Sequence, residues 1–273
     1  MSLVRATIEP GVERLQLGSW RGRAVGYDVS AYVIDGVLVD SGFPRAAPAV
    51  RKAVAGFAPR GVVITHWHED HAGNAPLLAA MGLRISMHPE CEAILRERPR
   101  IRLYRRVVWG WTPRLIGPVT PFDPAPLQII ATAGHSVDHR VVWDPERRIV
   151  VSGDLFLGVK VRVAHIHESP RALVSSLRAV VALEPRLLLD AHRGVISDAT
   201  EQLRAKIQWN EETIGRIEEL GAIGVGPREI VRRLFGAESF VGWVSGGEYS
   251  RASFVKAVLR EAELTREPRV TIR

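Results

Sequence analysis

Residues 65–71 read THWHEDH and place three histidines and two carboxylates within seven positions. The segment follows a short apolar run, which is typical of the end of a buried strand. Residues two apart on an extended chain face the same way, so His66 and His68 can bind one ion while Asp70 and His71 reach a second. Packing does not account for so many imidazoles at one strand end, because apolar side chains fill such places at lower cost.

Four residues do not complete two metal sites, so further histidine and carboxylate donors are expected at other strand ends. Three such donors follow short apolar runs later in the chain, each beside small residues that let the backbone approach a metal. They are His135, Asp154 and His192. The sequence therefore predicts a centre for two divalent ions in which these three residues join the THWHEDH segment.

The chain has a single cysteine, Cys91, which excludes an internal disulfide and a thiolate-rich zinc ribbon. Histidine and carboxylate ligands favour zinc, although iron and manganese use the same ligand types. In paired-metal hydrolases two such ions lie about 3.5–4 Å apart, lower the pKa of a shared water and polarise a carbonyl or phosphoryl oxygen. The predicted chemistry is hydrolysis.

The elements that position these residues are predicted to alternate between strand and helix. Extended patterns occur at 31–34, 37–40, 62–65, 128–131, 141–143 and 149–152. Helical spacing occurs at 46–56, 74–81 and 171–183. Interspersed strands and helices indicate a layered α/β protein whose sheets are covered by helices.

The pattern changes after residue 197. Asp198 is a candidate N-cap for a helix through residue 220, and Pro227 suits the first turn of a second helix through residue 235. A third helix is predicted at 250–264, and a short strand pattern ends the chain at 269–273. We therefore expect two domains, a catalytic domain at 1–197 and a helical appendage at 198–273.

The 273-residue chain is 46% hydrophobic and 25% charged, a composition that excludes disorder and coiled coil for the whole chain. No stretch approaches the roughly 18 apolar residues of a membrane helix, and the first residues lack the apolar block of a signal peptide. A cytoplasmic protein is predicted. The formal charge is +7, and 33 of the 37 basic residues are arginine, which fits genome composition as well as an anionic partner.

Five motifs, in order along residues 15–197, are similar to those of the metallo-β-lactamase superfamily: VDSG at Asp40, the THWHEDH segment, and the segments of the three later donors. The resemblance implies a four-layer αββα sandwich with the metal site at the edge of two packed sheets. Asp40 is expected to hold a ligand histidine from behind. The implied ligands are His66, His68 and His135 for one metal, Asp70, His71 and His192 for the other, and Asp154 as the bridge.

Many lactamases of this superfamily carry a cysteine ligand where Asp154 stands, so antibiotic hydrolysis is not expected. A bridging aspartate resembles the glyoxalase II, lactonase and ribonuclease-type branches. The segments THWHEDHAG and GHSVDH are similar to the β-lactamase-like protein 2 group, whose better-known animal member is a single-strand endoribonuclease. That group also carries a C-terminal winged-helix-like appendage.

We expect a dinuclear hydrolase that cleaves an ester, lactone or thioester with a metal-bound hydroxide. Asp70 is expected both to bind metal and to orient this hydroxide. The alternative is a metal-dependent endoribonuclease on single-stranded RNA, guided by the arginines and tryptophans of residues 96–111. The same stretch also fits a helix with a solvated arginine face whose tryptophans cap the site or an interface. A nonenzymatic binding protein is the third hypothesis, which the complete ligand set disfavours. The expected partner is a small molecule for the first and nucleic acid for the second, and a homodimer fits either.

Other polar residues near the motifs have less defined roles. His165 and His167 repeat the spacing of two residues and fit either a substrate contact or a surface and capping role. His139 is expected behind the ligands or in packing, and His88 in a structural role. Arg193 follows the last ligand directly, so its side chain is expected to turn toward solvent or to hold an anionic substrate.

Overall fold

The computed structural model describes residues 2–18 and 28–266, and the strand predicted at 269–273 lies outside the described residues. The first large sheet has six strands that neighbour one another in chain order. They are β1 (Ser2–Glu9), β2 (Val12–Gly18), β3 (Val29–Ile34), β4 (Val37–Val39), β5 (Gly61–Val63) and β6 (Ile85–Ser86). The strands are antiparallel from β1 to β4 and parallel from β4 to β6.

The second large sheet has five strands in the spatial order β12-β11-β9-β8-β7. They are β7 (Gln128–Ala131), β8 (Arg140–Asp144), β9 (Ile149–Gly153), β11 (Leu187–Asp190) and β12 (Gly194–Ile196). A separate antiparallel pair joins β10 (Ala164–His165) to β13 (Tyr249–Ser250).

The helices are interspersed with the strands along the chain, and a 3-10 turn at Pro44–Ala46 precedes the first of them. The first five are α1 (Ala47–Phe57), α2 (Ala75–Ala80), α3 (Pro89–Glu97), α4 (Leu103–Val108) and α5 (Pro170–Val181). The C-terminal part contains α6 (Ala199–Ala222), α7 (Pro227–Phe235), α8 (Phe240–Val244) and α9 (Arg251–Arg266). None of the helices in the described ranges is long and apolar enough to cross a membrane.

Consecutive residues of the central strands face opposite layers. Val62 packs with the helices that cover the first sheet, whereas Val63 packs into the core between the two sheets. In the second sheet Val150 faces the covering helices and Val151 faces the core between the sheets. Burial on both faces explains the continuous apolar runs in the sequence. The predicted αββα sandwich is confirmed.

The strand directions bring the predicted donors to one edge of the sandwich. In the second sheet β8 is antiparallel to both β7 and β9, and β9 is parallel to β11, so β7, β9 and β11 run the same way. In the first sheet β4 and β5 are parallel. The donor segments follow the carboxyl ends of these strands. The loops that follow parallel strands lie at the same edge of a sheet.

The helix α6 belongs to two hydrophobic clusters. Its first half contributes Ala199 and Leu203 to the cluster on the outer face of the second sheet, while Ile214 and Ile217 pack with α7 and α9. The helix therefore covers the sheet before it enters the C-terminal helical part. The domain boundary at 197/198 stays a prediction. The helix α6 lies after this boundary and packs against both the second sheet and the C-terminal helices.

Three regions illustrate how the structure differs from the sequence prediction. The hairpin of β1 and β2 was not predicted; half of the residues of β1 are exposed and none is buried, so the strand lacks the continuous apolar run of the central strands. The stretch 96–111 contributes to two helices rather than one, because α3 ends at Glu97 and the next residue, Arg98, has a φ of 75° that cannot continue a helix. The C-terminal part likewise holds a short additional helix, α8, between the predicted ones.

Candidate metal centre

The seven predicted donors meet at the carboxyl edge of the two sheets. They form two groups, and within each group one ligand atom per residue lies within 4.8 Å of the others. The first group contains His66, His68, His135 and Asp154, and the second contains Asp70, His71 and His192. The convergence on which the sequence hypothesis depends is thus present in the structure.

Three ring nitrogens face one another in the first group. His68 Nδ1 lies 3.0 Å from His66 Nε2 and 3.0 Å from His135 Nε2. Thr65 Oγ1 donates to Asp40 Oδ2, so it accepts from His66 Nδ1, and Nε2 of that ring carries a lone pair. Similarly, His135 Nδ1 lies 3.0 Å from the Glu168 carboxylate and donates to it, which turns a second lone pair inward.

The second group is oriented in the same way. His71 Nδ1 donates to Asp40 Oδ2 at 2.8 Å, as the sequence predicts for Asp40, and His192 Nδ1 donates to the backbone carbonyl of Asp28 at 3.1 Å. Both rings therefore direct Nε2 to the centre, where Asp70 Oδ2 lies 3.8 Å from His71 Nε2 and 3.4 Å from His192 Nε2.

Asp154 lies between the two groups. Its Oδ2 is 3.3 Å from His135 Nε2 and 3.9 Å from His66 Nε2. Its Oδ1 is 3.1 Å from His71 Nε2 and 3.3 Å from His192 Nε2. One carboxylate thus offers one oxygen to each group, which is the arrangement of a bridging ligand.

These residues fit divalent cations. Imidazole lone pairs that face one another at about 3 Å repel unless a cation lies among them. In the part of the chain that the structure describes, His68 Nε2, His71 Nε2 and Asp154 Oδ1 are buried without a hydrogen-bond partner. Buried polar atoms are almost always hydrogen-bonded, so His71 Nε2 and Asp154 Oδ1, which face each other at 3.1 Å without a hydrogen bond, indicate the place of a ligand.

Two imidazole rings and one carboxyl group of the centre are in the protonation state that binds cations. Burial lowers the pKa of His66 and of His68 well below the ordinary value, so both rings are neutral. Burial opposes ionisation of Asp154, but His71 and His192 hold the pKa of that carboxyl well below its usual range. Burial likewise opposes protonation of His192, although Asp154 and Asp70 raise its pKa to about 10. A divalent cation would displace this proton, because metal binding needs the neutral ring.

A sequence model described as the metallo-beta-lactamase superfamily matches residues 24–207, which is more than half of the chain. The chain belongs to this superfamily. It is 31% identical over 150 residues to the "Lactamase-like protein nscB" of Arthroderma benhamiae, an alignment that spans 55% of this chain and 30% of that protein. It is 27% identical over 177 residues to the "Beta-lactamase-like protein 2 homolog" of Caenorhabditis elegans, with 63% and 57% spanned. The chain therefore spans less than two thirds of the length of these relatives.

Solved structures share the metallo-beta-lactamase fold. A metallo-beta-lactamase family protein from Thermus thermophilus superposes with a TM-score of 0.67 at 18% identity, covering 95% of this chain and 94% of its own. The metallo-beta-lactamase FIM-1 from Pseudomonas aeruginosa, in a mono-zinc form, superposes with a TM-score of 0.59 at 20% identity, covering 78% and 96%. The similarity at these identities is one of fold.

The metallo-beta-lactamase domain surrounds its centre with carboxylates that the sequence did not single out. Asp190 accepts from the backbone N–H groups of His192 and Arg193 with one oxygen and from that of Leu157 with the other. It thereby ties the last donor segment to the loop after Asp154. Glu168 also accepts from the backbone N–H of His165, so one carboxylate serves two neighbouring segments.

The histidines with undefined roles take distinct positions. His139 Nε2 accepts from the backbone N–H of Asp154 at 3.1 Å, which places the ring behind that carboxylate. His165 is buried against the His68 ring, with ring centroids 5.6 Å apart, whereas His167 is exposed. His88 caps α3 by accepting from the backbone N–H of Glu90, a structural role as predicted.

Arg193 does not point at the paired donor groups. Its Nε donates to the carbonyl of Leu157 at 2.9 Å, and its guanidinium lies over Gly158. The Arg193 side chain thus crosses the loop that follows Asp154 and binds its backbone rather than the donor groups.

Glu168 provides a test of how the centre is held. Replacing Glu168 with alanine removes the acceptor of His135 Nδ1, so the ring can rotate or change tautomer. We expect zinc affinity, measured by calorimetric titration of the apo-protein, to fall about 10- to 100-fold. Glu168→Gln keeps an oxygen acceptor and is expected to retain most of the affinity. Equal affinities for the alanine variant and the wild type would contradict this role.

Glu248 links the C-terminal part to α4 beside the centre. Tyr104 Oη donates to Glu248 Oε2 at 2.7 Å, and Arg105 Nη1 and His165 Nε2 lie 3.5 Å and 3.4 Å from its other oxygen. Burial opposes ionisation, but the hydrogen bonds from His165 and Tyr104 and the charge of Arg105 lower the pKa of Glu248 to about 2.

Because the folded pKa of Glu248 lies below its unfolded value of about 4.3, the ionised carboxylate stabilises the fold above that pH, and this contribution is lost as the pH falls towards 2. We expect the wild type to exceed Glu248→Gln in unfolding free energy by a constant amount between about pH 5 and 8. Urea unfolding at lower pH should show this difference shrinking. A difference that persists unchanged to about pH 3 would contradict the prediction.

Proposed function

We propose that this protein is a dinuclear metal-dependent hydrolase that cleaves an ester, lactone or thioester. The observation that carries the proposal is Asp154, whose two oxygens face two separate groups of inward-directed histidine and carboxylate donors. Membership of the metallo-beta-lactamase superfamily supports a hydrolytic metal centre. The proposed ligands are those of the sequence hypothesis, with His66, His68 and His135 on one side, Asp70, His71 and His192 on the other, and Asp154 shared.

Bound by these residues, two divalent ions, of which zinc suits the donors best, would supply Lewis acidity and a water that ionises near neutral pH. His66 and His71 are fully buried. Asp70 and Asp154 are 8% and 7% exposed, and His192 is half-buried. The substrate is therefore proposed to approach from the side of Asp70 and His192.

Asp70 is the proposed catalytic carboxylate. It stands at this open side, and burial opposes its ionisation while His71 and His192 lower its pKa below the usual value. An ionised carboxylate here can accept a hydrogen bond from the attacking water, orient it and hold its proton. The deeper histidines exclude bulk water from the other side.

The arginine-rich stretch supports a small substrate over single-stranded RNA. Arg105 is buried against Glu69, and Arg102 donates to the carbonyls of Ser245 and Gly246. The guanidinium groups of Arg98 and Arg106 lie over the Trp111 ring, 4.2 Å and 4.0 Å from its centroid. A base that stacks on this exposed indole would have to displace these cation–π contacts.

The experiment compares turnover of aryl esters, acyl lactones and acyl thioesters with cleavage of a labelled single-stranded RNA oligomer. Protein loaded with zinc, manganese or iron is used in each assay, and His68→Ala serves as the blank. We expect hydrolysis of one of the acyl substrates that is absent from the blank. Cleavage of RNA alone would replace this proposal with the nuclease, and no turnover together with less than one metal per chain would refute a hydrolase.

A further inference from the structure

The loop directly after Asp154 has an unusual backbone. Gly153, immediately before Asp154, has a φ of 50°, and Leu157 has a φ of 52° although it carries a side chain. A non-glycine residue in the left-handed region costs on the order of 1 kcal/mol and persists only where its surroundings hold it. The loop at 155–158 therefore requires partners that fix its conformation.

Three consecutive carbonyls of this loop face cations. Lys206 Nζ donates to the carbonyl of Phe156 and, at 3.1 Å, to that of Gly158. Arg193 Nε donates to the carbonyl of Leu157 between them, and the N–H of Leu157 donates to Asp190. The two cations approach from different elements, since Lys206 lies on α6 and Arg193 follows β11.

Lys206 occupies a place where an apolar residue is expected. It is only 2% exposed, and α6 packs its neighbours Leu203 and Ile207 into the cluster on the outer face of the second sheet. Burial lowers the pKa of Lys206 to about 8, which reflects the unfavourable desolvation of the ammonium group. A buried lysine is retained only where its hydrogen bonds offset this loss.

The ammonium group also lies near the centre itself. Lys206 lines one cavity together with His135, Asp154 and Glu168. On the other side of Asp154, His139 accepts from its backbone N–H. His139 thus fixes the backbone N–H of Asp154, and Lys206 fixes the loop that follows Asp154.

We propose that Lys206 is a positioning residue, which fixes Asp154 between the two donor groups by holding the carbonyls of Phe156 and Gly158. The inference rests on the metal centre proposed above. It makes the first helix of the C-terminal part a functional component of the centre, because α6 supplies a contact that the two sheets do not.

The test uses Lys206→Met, which keeps the length of the side chain and removes its donors, with Lys160→Met as the control. Lys160 follows the same loop and is exposed. Hydrogen exchange of the peptide covering 153–160 is measured in the apo-protein, and zinc affinity is measured by calorimetric titration. Loss of two hydrogen bonds of about 1 kcal/mol each should speed exchange at least about tenfold in Lys206→Met. Zinc affinity should fall about 10- to 100-fold.

Lys160→Met is expected to match the wild type in both measurements. Should Lys206→Met lack a cooperative thermal transition, Lys206→Gln, which keeps one donor, is expected to show smaller changes in the same directions. Faster exchange with wild-type zinc affinity would overturn the positioning role, and so would wild-type values in both measurements. A wild type that binds no zinc would refute the metal centre, whereas the exchange measurement would still report whether Lys206 holds the loop.

Discussion

Replacing Asp154 with asparagine is expected to lower kcat/KM for the acyl substrate on the order of 10³-fold. The amide has one oxygen, whereas the carboxylate offers one oxygen to each donor group, at 3.3 Å from His135 and 3.1 Å from His71. In the proposed centre, the variant loses the shared ligand and one negative charge that offsets the charge of two cations. Bound metal, measured by elemental analysis after dialysis, should fall to one ion per chain or fewer.

Asp123→Asn is the control for this substitution, because Asp123 is an exposed aspartate that accepts only from the backbone N–H of Ala125 among the described residues. It should retain wild-type turnover and metal content. If Asp154→Asn kept two metals per chain and turned over within a few-fold of the wild type, Asp154 would not be the bridge.

Replacing Arg105 with methionine is expected to lower the free energy of unfolding by about 3–5 kcal/mol. Arg105 Nε donates to Glu69 Oε1 at 2.5 Å and Nη2 donates to the other oxygen, with side chains that are 4% and 0% exposed. Without the guanidinium, Glu69 stays buried and uncompensated between His68 and Asp70. A fall of about 10 °C in melting temperature should accompany the loss.

The double variant Arg105→Met with Glu69→Met distinguishes the net contribution of the ion pair to stability from the cost of leaving one partner buried and unpaired. Removing both charges should restore most of the stability, because the penalty arises from the unpaired partner. Arg232→Met is the exposed control and should leave the melting temperature unchanged, since Arg232 pairs with Glu229 in water. A double variant as unstable as the single one would show that Arg105 acts through other contacts.

The fold was predictable where one local signal was strong. The apolar runs around Val62 and Val150 indicated strands covered on both faces, and the structure places alternate residues in the two clusters that such strands need. The strand β1, in which half of the residues are exposed, has no comparable apolar run. The break between α3 and α4 depends on the backbone of Arg98 and on tertiary contacts, which residue spacing does not encode.

The donors of the centre were predictable because each one lies at a strand end in a short motif. Their supporting residues were not, because the contacts join segments far apart in the chain. Glu168 reaches His135, Arg105 reaches Glu69, and Lys206 reaches the loop after Asp154. In the sequence these are an ordinary glutamate, one arginine among many and a lysine on a helix.

Anomalous diffraction at the zinc edge, from crystals of the zinc-loaded protein, tests the paired centre most directly. We expect two peaks about 3.5–4 Å apart with the Asp154 carboxylate between them. One peak should lie against His66, His68 and His135, and the other against Asp70, His71 and His192. A single peak, or peaks away from these side chains, would contradict it.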